Sequence, residues 1–118
     1  MESLTREVVE RFLTALAAAD TPAALDCCTE DVVFVPLDAS TLRGRAAFGE
    51  ELDRLFSGVF APGTYVRHNE PLIVEGELAI LVWRAECLGT VYTHGVTHFV
   101  LRGPRIGLVT VVEQGEPV

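Results

Sequence analysis

In the segment "LVWRAECLG", Leu81 to Gly89, an arginine and a glutamate stand two residues apart inside an otherwise apolar, strand-like run. Side chains alternate along a strand, so Val82, Arg84, Glu86 and Leu88 share one face, and Leu81, Trp83, Ala85 and Cys87 share the other. Turned into an apolar pocket, the charged pair is chemistry. Burial raises a carboxylate pKa and an adjacent guanidinium lowers it again, so Glu86 would stay ionised and could act as a general base. Turned outward, the same two residues are a solvated face above a core of Trp83, Ala85 and Cys87. Alternation alone favours the outward reading, because charged side chains are rarely fully buried.

The remaining reactive residue types form weaker patterns. His94 and His98 share a strand face but are four residues apart, about 13 Å at strand rise, too far for one metal with bonds near 2 Å. His68, in "YVRHNEP", alternates with Val66 and Glu70 and is a pocket candidate. Cys27, Cys28 and Cys87 form no CxxC motif and cannot all pair, so they read as reduced, buried small residues. "LRGRAAF" lacks the Lys-Ser/Thr of a phosphate loop, and the chain has no Ser/His/Asp signature and no metal-ligand cluster. The expected site therefore uses neither metal nor cofactor.

These residues must be held by elements that the periodicity marks. Leu4, Val8, Phe12 and Leu16, with Val9 and Leu13, make residues 3 to 19 an amphipathic helix, with Ser3 or Thr5 available to cap it. In "AADTPAAL", Asp20 or Thr21 can cap a second short helix that runs to about Cys28, and Pro22 suits its first turn. "VVFVPL" is a β-branched strand ended by Pro36. Phe48, Leu52, Leu55, Phe56 and Val59 give a third helix within "RAAFGEELDRLFSGVF". Four strands follow, Tyr65 to Val74, Leu78 to Leu88, Val91 to Leu101 and Ile106 to Gln114, joined by "EGE", "GT" and "RGPR". Helices followed by a meander of long strands predict an α+β fold with a curved sheet around the helices.

At 118 residues the chain fits one domain, residues 1–118, with a single core. Its mean hydropathy of +0.33 is high for this length and predicts a lined cavity or an apolar subunit interface. A net charge of −8 argues against nucleic acid as a partner. The opening "MESLTREVVERF" is not a secretory leader and no segment reaches membrane-span length, so the expected setting is soluble and cytoplasmic, with no membrane partner.

With the order of elements in hand, "VVERFLTALAAADTPAALDCCTEDVVFVPL", "LRGRAAFGEELDRLF" and "THFVLRGPRIGLVTVVEQ" resemble the nuclear-transport-factor-2-like superfamily, in its SnoaL-like and ketosteroid-isomerase-like branch. The resemblance spans nearly the whole chain. It implies a cone-shaped half-barrel, three N-terminal helices packed in a strongly curved, mixed and mostly antiparallel sheet, and commonly a homodimer through the outer sheet face. The fold hosts isomerases, cyclases, epoxide hydrolases and non-catalytic binders, so it does not by itself give an activity.

Residue by residue, the tyrosine and two aspartates of ketosteroid isomerases match Phe12, Thr97 and Val35, which implies that steroid isomerisation by that mechanism is absent. "WRAEC" is similar to the Arg-x-Asp of limonene-epoxide-hydrolase-like members, placing Arg84 on the arginine and Glu86 on the first carboxylate. The second aspartate of that set falls on Val111, and its tyrosine and asparagine fall in "DVVFV", which has neither. Val109, Val111 and Glu113 share a strand face, so Glu113 could supply the missing carboxylate from nearer the rim, keep its proton and act as an acid.

The resemblance also puts Thr97 and Phe99 on the cavity side. That leaves Tyr92, His94, Val96, His98 and Val100, joined by Leu81 and Trp83, outside on an apolar dimer face, and turns Arg84 and Glu86 inward. The expected cavity wall is Phe12, Leu16, Val35, Leu55, Val66, His68, Val82, Thr97, Phe99, Val109 and Val111, around catalytic Arg84, Glu86 and Glu113. The expected function is cofactor-free acid/base chemistry on a hydrophobic small molecule, of the epoxide hydrolase or polyketide cyclase type. A non-catalytic ligand-binding or dimerisation module stands beside it as the other class.

Overall fold

A computed structural model of the chain describes residues 1–37 and 39–117. Helix α1 (Glu2–Ala17) presents Val8, Val9, Phe12 and Ala15 to the interior. It starts without a side-chain cap: Thr5 is buried, and its hydroxyl donates to the Gly76 carbonyl at 2.7 Å, tying the helix to the sheet instead. Asp20 does cap α2 (Thr21–Asp26), accepting from the Ala23 amide at 3.1 Å, and Pro22 sits in its first turn. α2 is shorter than its periodicity predicts because the chain turns directly into strand β1 (Cys28–Pro36). After the two-residue strand β2 (Leu42–Arg43), helix α3 (Arg45–Phe56) buries Phe48 and Leu52.

The remaining strands are β3 (Tyr65–Asn69), β4 (Ile73–Glu75), β5 (Leu78–Cys87), β6 (Thr90–Arg102) and β7 (Arg105–Pro117). A single strand was expected over 65–74. It divides into β3 and β4 around Pro71, which has no amide to give a ladder. The sheet runs β2-β1-β7-β6-β5-β3, with β4 also pairing β5; β1 lies parallel to β7 and every other pair is antiparallel. This curved, unclosed, mixed α+β sheet around three helices is the expected architecture.

Aromatic rings pack between the helices and the inner face of the sheet. Phe12 stacks on Phe48 at 6.2 Å and meets Phe99 edge-on at 5.7 Å, while Phe34 stacks on Phe48 at 5.0 Å. Each fully buried ring contributes roughly 1.5–3 kcal/mol relative to an exposed one. This cluster fixes α1 and α3 against β1 and β6. Cys27, Cys28 and Cys87 are all free and buried, as expected of inert thiols, and burial pushes the Cys28 thiol up to about 12.

Candidate functional site

Between α1, α3 and the inner sheet face lies a cavity of about 460 Å³. Its apolar part is built by Phe12, Leu16, Leu52, Leu55, Phe99, Val109 and Val111, and Leu37 and Ala39 stand at its solvent edge. Cross-strand register decides which side chains of β1 and β7 reach it. Phe34 pairs with Val109 and Pro36 with Val111, and all four face in. Val35 pairs with Thr110 and therefore faces away, which corrects its expected place on the wall.

Register also settles the faces of β5. Leu81 pairs with Thr97 and Trp83 with Gly95, so the inner face carries Leu81, Trp83, Ala85 and Cys87, all buried. Val82, Arg84 and Glu86 are exposed on the outer face. The inward placement of Arg84 and Glu86 is thus overturned: alternation and the hydration of charge prevail. The same parity carries to β3, where Val66 pairs with Glu86 and His68 with Arg84, both turned away from the cavity. His68 Nε2 lies 3.0 Å from a Glu86 carboxylate oxygen, in an ion-pairing position on the outside of the sheet. Val66, His68 and Val82 are therefore not cavity residues.

Arg67, Trp83 and Tyr92 take the interior positions instead. Arg67 alternates inward with Tyr65; its guanidinium sits 4.2 Å from the centre of the Trp83 ring, and its Nε donates to Asn69 Oδ1 at 2.9 Å. Burial lowers the Arg67 pKa to about 10, against the opposing pull of Tyr65, Glu113 and Cys87, so it remains a cation at neutral pH. Tyr92 faces inward because Thr93 is an extra residue in β6: Tyr92 pairs with Ala85, and Gly95, three residues on, pairs with Trp83 two residues back. That β-bulge reverses the alternation from which Tyr92 was expected outside.

Gly95 makes room for the indole. A Cβ there would collide with Cε2, Cδ2 and Cζ2 of Trp83, so the ring lies flat across β6 where a side chain would be. The Trp83 Nε1 hydrogen then reaches Thr97 Oγ1 at 3.0 Å. Phe60 packs against Tyr65, Tyr92 and Trp83 at 5.1, 5.8 and 6.3 Å, closing an aromatic end to the cavity. Glu113, paired with Gly95 on the neighbouring strand, lines this end. Burial pushes the Tyr92 phenol up, with the Glu113 carboxylate and Cys87 adding to the shift, which keeps it a hydrogen-bond donor. At the rim, Arg54 holds Glu51 through two bonds of 2.8 and 2.6 Å.

Of the residues named from sequence, the cavity brings together Phe12, Leu16, Leu55, Thr97, Phe99, Val109, Val111 and Glu113. Arg67 was missed, and Leu81 and Trp83, expected on the outer dimer face, lie on the inner one; a glycine inside a strand, as at Gly95, is a usable signal of close approach by a large neighbour. No group of three metal-ligating side chains exists among the described residues. No helix among them is long and apolar enough to cross a membrane.

The architecture has solved counterparts. A candidate SnoaL-like polyketide cyclase from Jannaschia sp. CCS1 superposes with a TM-score of 0.83 at 15% identity, covering 97% of this chain and 88% of its own. A candidate ketosteroid isomerase from Kribbella flavida DSM 17836 gives 0.81 at 16% identity, covering 96% and 79%. An NTF2-like protein of unknown function from Mesorhizobium loti gives 0.80 at 20% identity, covering 97% and 93%. At these identities the likeness concerns the fold alone. Among curated proteins, no sequence match to this chain is found. The family model for the SnoaL-like domain matches residues 9–115, and the chain belongs to that family, within the nuclear-transport-factor-2-like superfamily.

Proposed function

We propose that this protein takes a hydrophobic small molecule into its cavity and performs cofactor-free acid/base chemistry on it, of the epoxide hydrolase or polyketide cyclase type. The observation that carries this reading is that one carboxylate, Glu113, and one guanidinium, Arg67, both line the aromatic end of an otherwise apolar cavity, the carboxylate acting on the guanidinium through its charge. Glu51, the other carboxylate among the described residues of the wall, is engaged by Arg54 at the rim. Glu113 would move the proton, the Arg67 cation would stabilise negative charge developing on substrate oxygen, and the Tyr92 hydroxyl would donate a hydrogen bond. The neighbours described as polyketide cyclase and ketosteroid isomerase are consistent with such chemistry in this fold.

Glu113→Gln tests it. Turnover of a reactive epoxide or polyketide panel should fall at least about 100-fold while binding of the same compounds persists. Undiminished turnover in the variant would remove Glu113 from the mechanism. The outward position of Arg84 and Glu86 favours one second reading, a non-catalytic binding module, for which the wild-type protein would bind panel members and turn none over. In either case we propose a second copy of the chain as partner on the outer sheet face, where Val66, Val82 and Val112 are 58%, 39% and 50% exposed. Sedimentation as a 12.8 kDa monomer at micromolar concentration would exclude that partner.

A further inference from the structure

Thr97 is a polar side chain only 6% exposed, standing on the cavity wall among Phe99, Val109 and Val111. Its oxygen accepts the Trp83 indole hydrogen at 3.0 Å. An indole nitrogen can only donate, so this bond occupies a lone pair of Thr97 and leaves the hydroxyl proton to be given elsewhere. No acceptor for that proton is found among the described residues; Thr29 Oγ1 is also buried, without any hydrogen bond, but it does not line the cavity. A buried donor without an acceptor is costly, and a ligand oxygen would remove that cost. Trp83 cannot readily release the hydroxyl, because its ring is wedged over Gly95 and under the Arg67 guanidinium.

The charges on the wall restrict the ligand further. Its described ionisable side chains of fixed charge are Arg54 and Arg67 against Glu51 and Glu113, two of each sign. Arg54 and Glu51 bind one another, and the Arg67 cation lies within the field of Glu113. An anionic or cationic ligand would leave one charge uncompensated in a partly dehydrated site, whereas a neutral one would not.

We infer that Trp83 and Thr97 together form an anchor for an acceptor oxygen, and that the ligand is an uncharged hydrophobic molecule carrying a carbonyl or ether oxygen. Trp83 is the positioning residue, holding the hydroxyl, and Thr97 makes the contact. The inference rests on the small-molecule reading of the cavity and specifies its ligand class.

Calorimetric titration with three probes of one shape tests it: 2-acetylphenanthrene, 2-ethylphenanthrene and phenanthrene-2-carboxylate. The wild-type protein should bind the ketone about five- to tenfold more tightly than the hydrocarbon, and the carboxylate least well. Thr97→Val, which keeps the shape, should bring the ketone-to-hydrocarbon ratio close to one without weakening the hydrocarbon, and Thr97→Ser should restore it. Trp83→Phe, which keeps an aromatic ring and deletes the N–H, should lower the ratio; an unchanged ratio there would overturn the part given to Trp83. A ratio that survives in Thr97→Val overturns the anchor, and preference for the carboxylate overturns the argument from charge. Failure of all three probes to bind the wild-type protein would instead overturn the small-molecule reading itself.

Discussion

The two faces of β5 are made by the same ten residues and have opposite physics. Inward, Leu81, Trp83, Ala85 and Cys87 are buried; outward, Val82, Arg84 and Glu86 are exposed. The outer face carries the more conspicuous chemistry, an arginine and a carboxylate with His68 3.0 Å from that carboxylate, but it is open to water. The inner face carries one tryptophan, whose ring supports Arg67 and whose N–H meets Thr97. A charged pair in sequence is thus a poor guide to a site, because hydration already satisfies it. An aromatic ring lying on a glycine creates a defined space and orients the polar groups that border it.

The largest expected effect lies on the inner face. Gly95→Ala places a methyl carbon where the Trp83 ring lies, and the ring is held in place by Thr97. Overpacking of this kind costs roughly 1–3 kcal/mol, and the upper end is expected because a ring displaced into the cavity loses its bond to Thr97 and its contact with Arg67. Urea unfolding measures the loss. A change below about 0.5 kcal/mol would mean that the ring is not wedged and that the two faces differ less than described.

A smaller effect is expected from pH. Burial raises the Cys28 thiol from 9.0 to about 12, and Cys87 on the inner face of β5 is raised as well. Between those limits the folded chain keeps a proton that the unfolded chain has lost. Stability is therefore fully present below pH 9 and falls as pH rises toward 12, by at most about 1.4 kcal/mol per pH unit for each shifted thiol. Unfolding curves at pH 8, 9 and 10 should show the decline, and Cys28→Ala should make it shallower whatever its effect on stability at pH 8. Parallel slopes would show that the thiol is not responsible.

Much of this architecture was legible in the sequence, and the reasons differ by element. The helical stripes of Phe12 and Leu16, and of Phe48, Leu52 and Leu55, point where periodicity puts them, because a wide apolar face can be buried in only one way. Thr97, Phe99, Val109, Val111 and Glu113 reach the cavity because β6 and β7 alternate regularly along that stretch. Tyr92 was not legible, since one extra residue at Thr93 reverses the parity and no turn residue marks it. Arg67 was concealed for another reason. "YVRHN" offers Val66 and His68 as readily as Tyr65 and Arg67 for the inside, and an arginine can lay its stem and guanidinium on an aromatic ring without being exposed.

The smallest expected effect belongs to the residues that stood out first. Arg84→Gln and Glu86→Gln, singly or together, remove solvated charges from the outside of the sheet, and the Glu86 variant also removes the partner of His68. Exposed pairs contribute from nothing to about 1 kcal/mol, and a carboxylate with 56% of its side chain accessible keeps most of its hydration without the imidazole. Unfolding free energies of the variants should stay within about 0.5 kcal/mol of the parent, and affinity for a cavity ligand should not change. If Glu86→Gln weakened ligand binding as much as Glu113→Gln weakens turnover, the outer face would be acting on the inner one. Only β5 itself separates the two, so the coupling would have to pass through the backbone between Glu86 and its inward neighbours Ala85 and Cys87.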